Sequence, residues 1–161
     1  MNKNNIGRDS TIETIIEQLH CLDQYQLETI HQAIQSINPQ FSTRLHNLGR
    51  ILGIVWNEES EEMIMHLGSF NANLYGVAQG GAVYTLADVA TGFTILKRLK
   101  EHQKVFTLEM KMNFLKKGTG SKLIAQSEIL HWGQNTVVGQ SRILDESNQL
   151  IAQSLGTFYV R

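Results

Sequence analysis

The stretch from Asn73 to Lys97 reads NLYGVAQGGAVYTLADVATGFTILK, and the rest of the chain is organised around it. Two glycines, Gly80 and Gly81, open a run in which apolar residues recur every three or four positions, a spacing typical of a helix. The other faces of this helix are also largely apolar, which predicts that it is buried on nearly every side. One carboxylate, Asp88, lies in its middle. Because a bare buried carboxylate is strongly destabilising, Asp88 is predicted to be paired, neutralised or used in chemistry.

Length and composition are those of one globular domain. The chain has 161 residues, of which 42% are hydrophobic and 18% charged, and its net charge is −1. This balance gives no support for a nucleic-acid or membrane partner. A single cysteine excludes an intramolecular disulfide, and the six histidines lack metal-ligand spacing, so no metal is expected. No apolar run could span a membrane and no signal-peptide pattern occurs, which predicts a cytoplasmic location.

Residues 1–47 are predicted to form a helical extension before the main domain, residues 48–161. Ser10 to Glu13 has the spacing of a capping box, after a polar frayed segment, and an amphipathic stripe follows it. Asp23 to Gln26 repeats this pattern, and a second stripe runs to Pro39, a stop signal. The pair is expected to form a helical hairpin. It lacks the basic residues of a DNA-reading motif, so packing against the main domain or a second subunit is expected.

From residue 51 the pattern becomes strand-like, with predicted strands at 51–56 and 63–67 around a charged turn. The buried helix is expected to end near Leu99. Alternation then predicts four more strands, at 105–115, 123–132, 136–144 and 150–160. In the first of them it places one set of apolar residues on one face: Phe106, Leu108, Met110, Met112 and Phe114. Hairpin-linked strands around a lone helix imply an α+β fold, an antiparallel sheet wrapped around that helix.

The central stretch resembles the PaaI-like hotdog thioesterases, whose pattern is Asn-x-x-Gly-x-x-His-Gly-Gly with an Asp nine residues after the His. Asn73, Gly76 and the glycine pair match it, and Asp88 lies nine residues after Gln79. The strand that begins at Thr107 is similar to the family's third strand. The resemblance covers about residues 50–161. It implies the hotdog fold, a curved antiparallel sheet around a long central helix, with the N-terminal helices outside the family's domain.

The resemblance implies an acyl-CoA thioesterase that hydrolyses an acyl or aryl thioester and needs no cofactor. Asp88 would activate the water or attack the thioester directly, and the sequence does not separate these roles. Thr107 would orient the carboxylate or the water, and Asn73 would help to position the nucleophile or the thioester. Gly80 and Gly81 open a helix, so their N–H groups lack helical acceptors and suit an oxyanion hole. The Gly80 N–H would polarise the carbonyl, with Gly81 beside it in substrate binding.

The chain departs from the family pattern at the histidine, which is Gln79 here. An amide can still donate and accept hydrogen bonds, so Gln79 is assigned to substrate binding. The family's Arg-Pro after the third strand is Lys116-Lys117, which could meet the phosphates of CoA. The missing histidine motivates a second hypothesis, a non-catalytic acyl-CoA-binding or regulatory module. It also disfavours a third, a hotdog dehydratase, because those enzymes use a His with a Glu or Asp.

Gly80 and Asp88 of one chain are too far apart to act on one carbonyl. Eight residues of helix separate them by about 12 Å, whereas general-base catalysis needs contacts near ~3 Å. An antiparallel two-fold pairing of two such helices would bring Gly80 of one chain next to Asp88 of the other. The resemblance implies such a homodimer with two shared active sites, and it leaves open whether dimers assemble into a tetramer.

Overall fold

The computed structural model describes residues 3–37 and 45–161, with side chains from residue 9 onward. The elements in chain order are α1 (Lys3–Leu19), α2 (Gln24–Ile37), α3 (Asn47–Ile51), β1 (Ile54–Asn57), β2 (Glu62–His66), α4 (Gly80–Leu96), β3 (Val105–Phe114), β4 (Lys122–Trp132), β5 (Thr136–Asp145) and β6 (Leu150–Val160). The strands form one antiparallel sheet in the order β1-β2-β4-β5-β6-β3, and α4 packs across it. The predicted hotdog architecture, with helices before it, is confirmed.

The core lies between α4 and the sheet. The buried positions of α4 follow helical spacing and form one face: Ala82, Val83, Leu86, Ala87, Ala90, Thr91 and Ile95. The opposite face is open in a single chain, where Tyr84 is 36% exposed, Leu96 is 41% exposed and Asp88 is half-buried. The prediction of a helix buried on nearly every side is therefore wrong for one chain, because α4 has sheet on one side only.

The N-terminal helices differ from expectation in two ways. First, α1 begins at Lys3, so the segment from Ser10 to Glu13 lies inside the helix and the predicted cap there is wrong. A cap serves N–H groups that lack acceptors, and the preceding helical turns already supply acceptors. Second, α2 packs on α3 while α1 makes no extensive contact with any other described element, so the predicted hairpin does not form. None of the described helices is long and apolar enough to cross a bilayer.

The start of α2 is capped as predicted. The Oδ1 atom of Asp23 accepts from the Gln26 N–H at 2.9 Å, and Oε1 of Gln26 accepts from the Asp23 N–H at 3.0 Å. This reciprocal pair is a capping box. The helix ends at Ile37, and the stop signal at Pro39 lies outside the described residues.

The predicted strand from residue 51 is wrong in its first half, since Ile51 ends α3 and β1 begins at Ile54. Gly53 makes the turn between them with φ of +72°, a left-handed conformation that favours glycine. A Cβ at this position would also lie 2.9 Å from the carbonyl oxygen of His66. The other predicted strands match the structure, with shifts of a residue or two at their ends, and α4 ends at Leu96 rather than Leu99.

A bulge in β3 decides which of its side chains face α4. The pairing with β6 skips Leu108, between Thr107 and Glu109, so the alternation shifts by one residue there. Met110, beyond the bulge, packs against the core, whereas Phe106 and Leu108 are 44% and 59% exposed. The predicted single face of five apolar residues is therefore wrong. The shift lets Thr107 and Met110 face the helix together, although one has an odd number and the other an even one.

The loop before α4 is held by the buried side chain of Asn71. Its Nδ2 donates to the carbonyl oxygens of Leu52 at 2.9 Å and His66 at 2.7 Å. Its Oδ1 accepts from the Gly68 N–H at 2.9 Å, and its backbone oxygen accepts from the Gln79 N–H at 2.7 Å. Buried amides satisfied in this way favour a single conformation. The residue that precedes α4 is therefore tied to the sheet through Asn71.

Gly139→Ala is expected to lower the free energy of unfolding by about 1–3 kcal/mol. The added Cβ would lie 2.6 Å from Cγ2 of Thr91 and 3.3 Å from the Glu128 carbonyl oxygen. Thr91 is buried and hydrogen-bonded to the Ala87 carbonyl at 2.9 Å, so it has little freedom to move. Urea-induced unfolding followed by circular dichroism measures the change.

The matched control is Gly68→Ala, because a Cβ at Gly68 would meet no atom within 4 Å. It is expected to change stability by less than about 1 kcal/mol. Equal losses in the two variants would contradict the close packing at Gly139.

Candidate active site

The helix α4 and the strand β3 bring a carboxylate and a hydroxyl together. Asp88 lies on the open face of α4, and Thr107 faces it from the β3 bulge. The Oγ1 atom of Thr107 donates to Oδ1 of Asp88 at 2.7 Å, a charge-assisted hydrogen bond that orients the carboxylate. No other hydrogen bond to this carboxylate occurs among residues 3–37 and 45–161, so Oδ2 is available to a water or a substrate.

A cleft of about 200 Å³ opens beside this pair. Apolar side chains from α4, β3 and β6 form most of its wall, and polar groups are few. Its lining consists of Leu45, His46, Asp88, Val89, Gly92, Phe93, Leu96, Val105, Thr107 and Phe158. An apolar cleft with a small number of placed polar groups is typical of a small-molecule site. A carboxylate at its edge can reach a reactive group of a molecule whose carbon chain or ring lies inside the cleft.

The first N–H groups of α4 are available to a negatively charged atom. Gln79 is the N-cap, and its Oε1 accepts from the Ala82 N–H at 2.8 Å. Nothing in the described part of the chain accepts a hydrogen bond from the N–H of Gly80 or Gly81. Free N–H groups at a helix N-terminus lie at the positive end of the helix dipole. An oxyanion hole requires hydrogen-bond donors that are free to bind a negative oxygen, and the N–H groups of Gly80 and Gly81 are such donors.

Gln79 acts as the cap of α4, a role that the sequence did not reveal because glutamine is not among the preferred N-cap residues. A Cβ at residue 81 would lie 2.9 Å from Oε1 of Gln79, so Gly81 leaves room for the capping side chain. The Nε2 group of Gln79 takes no part in the cap. The assignment of Gln79 and Gly81 to substrate binding stays a prediction.

Asn73 shapes the loop before α4. Its Oδ1 accepts from the N–H groups of Tyr75 at 2.9 Å and Val77 at 3.3 Å, and its own N–H donates to the Val77 oxygen at 2.8 Å. Gly76 completes this turn with φ of +71°. Asn73 does not line the cleft beside Asp88. Its predicted part in positioning the nucleophile or thioester stays a prediction, and its visible hydrogen bonds serve the turn.

Lys116 and Lys117 are exposed in the turn that follows β3. The next residue, Gly118, accepts a hydrogen bond from the Ala78 N–H at 2.9 Å. This contact places the lysine turn beside the loop that leads into α4, away from the cleft. Their predicted contact with CoA phosphates stays a prediction.

Within one chain the predicted site residues fall into two groups. Asp88 and Thr107 meet at the cleft, beside the middle of α4, whereas Gly80 and its neighbours lie at the N-terminus of α4, about 12 Å away. The described residues bring no three potential metal ligands together. Among histidines, His66 and His131 do not line the cleft, and His46 does. His46 drew no attention in the sequence because it is distant from the motif and has no characteristic spacing.

Known proteins resemble this chain in sequence. A sequence model described as the thioesterase superfamily matches residues 75–152. A 1,4-dihydroxy-2-naphthoyl-CoA hydrolase of Listeria monocytogenes is 30% identical over 87 residues, which cover 54% of this chain and 71% of that protein. The chain belongs to the thioesterase superfamily. It is a thioester hydrolase, and the family predicted from the glycine and aspartate spacing is confirmed.

Solved structures share the hotdog fold of this thioesterase. A thioesterase from Haemophilus influenzae has a TM-score of 0.66 and 26% identity, covering 74% of this chain and 92% of that chain. A Bacillus halodurans protein crystallised with CoA has a TM-score of 0.81 and 20% identity, covering 92% of this chain and 99% of that chain. The second match covers 92% of this chain, which is more than residues 48–161 alone provide. The similarity in fold therefore extends into the N-terminal helices.

Thr107→Val is expected to lower kcat for thioester hydrolysis by roughly 10- to 100-fold, the worth of a hydrogen bond to a charged group. Valine has nearly the same shape but leaves Asp88 without its hydrogen-bond donor. Thr107→Ser keeps the hydroxyl and is expected to stay near the wild-type rate. Continuous detection of the released thiol measures both. A loss in Thr107→Ser with a near-wild-type rate in Thr107→Val would show that the methyl group, and not the hydrogen bond, matters.

Proposed function

We propose that this thioester hydrolase acts on acyl-CoA, releasing a free acid and CoA, with Asp88 as the catalytic carboxylate. The observation that carries the proposal is the Thr107–Asp88 hydrogen bond of 2.7 Å, which orients a carboxylate at the edge of an apolar cleft. Membership of the thioesterase superfamily supports thioester chemistry. The relative named as a hydrolase of 1,4-dihydroxy-2-naphthoyl-CoA supports a CoA thioester.

In the proposed reaction, a water at the free oxygen of Asp88 attacks the thioester carbonyl carbon. Asp88 accepts a proton from the water as the C–O bond forms, and the N–H groups of Gly80 and Gly81 hold the resulting oxyanion. The C–S bond then breaks with its electron pair on sulfur, and the thiolate takes the proton from Asp88. If Asp88 attacks directly instead, its oxygen displaces the thiolate from the carbonyl carbon and forms a mixed anhydride. Water then cleaves the anhydride to the free acid and the Asp88 carboxylate, and the proton released goes to the thiolate. Both routes use the same carboxylate oxygen.

The two groups of site residues would meet in a homodimer. The contacts between α4 and β3 show that they run antiparallel: Asp88 meets Thr107, the Tyr84 hydroxyl donates to the Met110 oxygen at 2.6 Å, and a Cβ at Gly80 would lie 3.5 Å from the Phe114 ring. Tyr84 and Met110 thus mark the middle of the pair. A two-fold axis near this point would exchange the two ends and bring Gly80 of one chain to Asp88 of the other.

The edge of the sheet supports the same dimer. β3 is an end strand of ten residues, and β6 is the only described strand that pairs with it. A long free edge is a template for pairing with another strand. Pairing of two β3 strands about the proposed axis would be antiparallel, because a two-fold axis perpendicular to a strand reverses it. The open face of α4 would be covered in the same step.

Asp88→Asn is expected to lower kcat/KM by roughly 10²- to 10⁴-fold, the usual contribution of a general base. Asparagine keeps the size of the side chain and an acceptor for Thr107, so the fold should be unaffected. Thiol release from a panel of acyl-CoA and acyl-pantetheine thioesters measures the effect, with sedimentation as a check on assembly. Asp9→Asn, at an exposed position of α1, is the matched control and should change nothing. No turnover of any thioester by the wild type would refute the proposed substrate.

Mixed dimers test whether the site is shared between chains. Gly80→Pro removes the proposed oxyanion N–H with little strain, because proline is favoured at the first helical position and Gln79 already has the extended conformation, φ −72° and ψ 133°, that must precede proline. It is expected to cost roughly 10²- to 10³-fold in kcat. Gly80→Ala keeps the N–H and is its control.

Chains carrying Asp88→Asn and chains carrying Gly80→Pro are co-expressed with different affinity tags, and the mixed dimer is isolated. A shared site predicts one intact and one doubly defective site per mixed dimer, and therefore about half the wild-type rate. Each homodimer should be inactive. An inactive mixed dimer would mean that Gly80 and Asp88 act within one chain.

A further inference from the structure

His46 reaches the cleft from outside the central motif. It is the N-cap of α3, with φ of −69° and ψ of 162°, and its Nδ1 accepts from the Gly49 N–H at 3.1 Å. The matched family segment begins at residue 75, so His46 lies outside it. His46 is one of the residues that line the cleft beside Asp88 and Thr107. The cap therefore fixes the orientation of the imidazole of a residue that lines the site.

The cap also determines what this imidazole can offer a substrate. A neutral histidine carries one ring proton, and a nitrogen that accepts a hydrogen bond cannot carry it. Since Nδ1 accepts from Gly49, the proton of the neutral ring is on Nε2. None of the described residues accepts a hydrogen bond from that group. The side chain therefore presents an uncommitted donor, whereas Asp88 and Thr107 are already bonded to each other.

The cleft that Asp88 and His46 both line leaves space for an acyl group. Gly92 lies one turn beyond Asp88 on α4, and a Cβ there would meet no atom within 4 Å. The wall around it is apolar, including Phe93 and Leu96. The cleft volume of about 200 Å³ is below the roughly 300–1,000 Å³ of pockets that hold drug-sized ligands, so it suits a compact acyl group better than a long chain.

We propose that His46 is a specificity-determining residue, which favours acyl groups that carry an oxygen substituent by donating its Nε2–H to that oxygen. The inference rests on the proposed acyl-CoA hydrolysis. In an otherwise apolar wall, a donor without a partner must lose its water when an acyl group fills the cleft. An unsubstituted acyl group would leave that donor unpaired, whereas a hydroxyl or carbonyl oxygen would satisfy it. The discrimination thus comes from the difference between the two substrates in the same site.

The test compares kcat/KM for matched pairs of thioesters: butyryl-CoA with 3-hydroxybutyryl-CoA, and benzoyl-CoA with its three hydroxybenzoyl isomers. The variant is His46→Asn, because asparagine is a strong N-cap and keeps the Gly49 hydrogen bond while removing the Nε2–H. Wild-type protein is expected to prefer the oxygenated member of at least one pair. His46→Asn should reduce that preference by roughly two- to tenfold, through a lower kcat/KM for the oxygenated member, a higher kcat/KM for the unsubstituted member, or both.

Two controls separate this role from a structural one. His46→Ala removes cap and donor together, so it should lose the same preference and also unfold at a lower urea concentration. His66→Asn changes an exposed histidine outside the cleft and should leave the preference intact. An unchanged preference in His46→Asn, or no preference in the wild type, would overturn the proposal while hydrolysis itself stands. Failure of the wild type on every thioester would instead overturn the proposed function.

Discussion

The packing of α4 along β3 is the constraint on which the rest of the structure depends. Three pairs of facing residues fix their antiparallel alignment, and the middle pair is joined by the hydrogen bond from the Tyr84 hydroxyl to the Met110 oxygen. The buried face of α4 holds the helix on the sheet, which leaves the face with Asp88 directed away from the core. A carboxylate there avoids the desolvation cost of full burial in the isolated chain. It also lies where a second chain and a substrate can reach it.

The β3 bulge turns this packing into a site. Without the extra residue at Leu108, strict alternation would point Thr107 away from the helix whenever Met110 points toward it. Met110 packs against the core, and Thr107 donates to Asp88. The strand therefore presents an even-numbered and an odd-numbered residue on the same side. This is possible because Leu108 is the extra residue of the bulge and does not pair with β6. Bulges beside active sites commonly re-aim a side chain in this way, and here the re-aimed side chain is Thr107.

Helix and strand periods were enough to predict an antiparallel sheet around one helix, and the resemblance to the hotdog thioesterases implied the pairing of Asp88 with Thr107. These features depend on residues that are close together in the chain, so they can be recognised in the sequence. They are the helix and strand periods, the glycine pair and the nine-residue interval from Gln79 to Asp88. The capping box at Asp23 was found for the same reason. The box at Ser10 failed because the same pattern also fits a helix interior, and only the upstream residues decide between them. The bulge at Leu108 depends on pairing with β6, and the sequence of one strand does not show it.

The replacement of the family's histidine by Gln79 is consistent with the proposed roles of the N-terminus of α4, as oxyanion donor, and of Asp88 in its middle, as proton acceptor. The cap needs only an acceptor, and Oε1 of Gln79 supplies it to Ala82. The proposed oxyanion donors are backbone N–H groups, whose presence does not depend on the side chain before them, so losing an imidazole there need not remove catalysis. The proton-accepting group is proposed at Asp88, about two turns further along the helix, and the histidine that lines the cleft, His46, is the N-cap of α3. A side chain at residue 79 can therefore change with limited consequence, provided that it still closes the first turn of the helix.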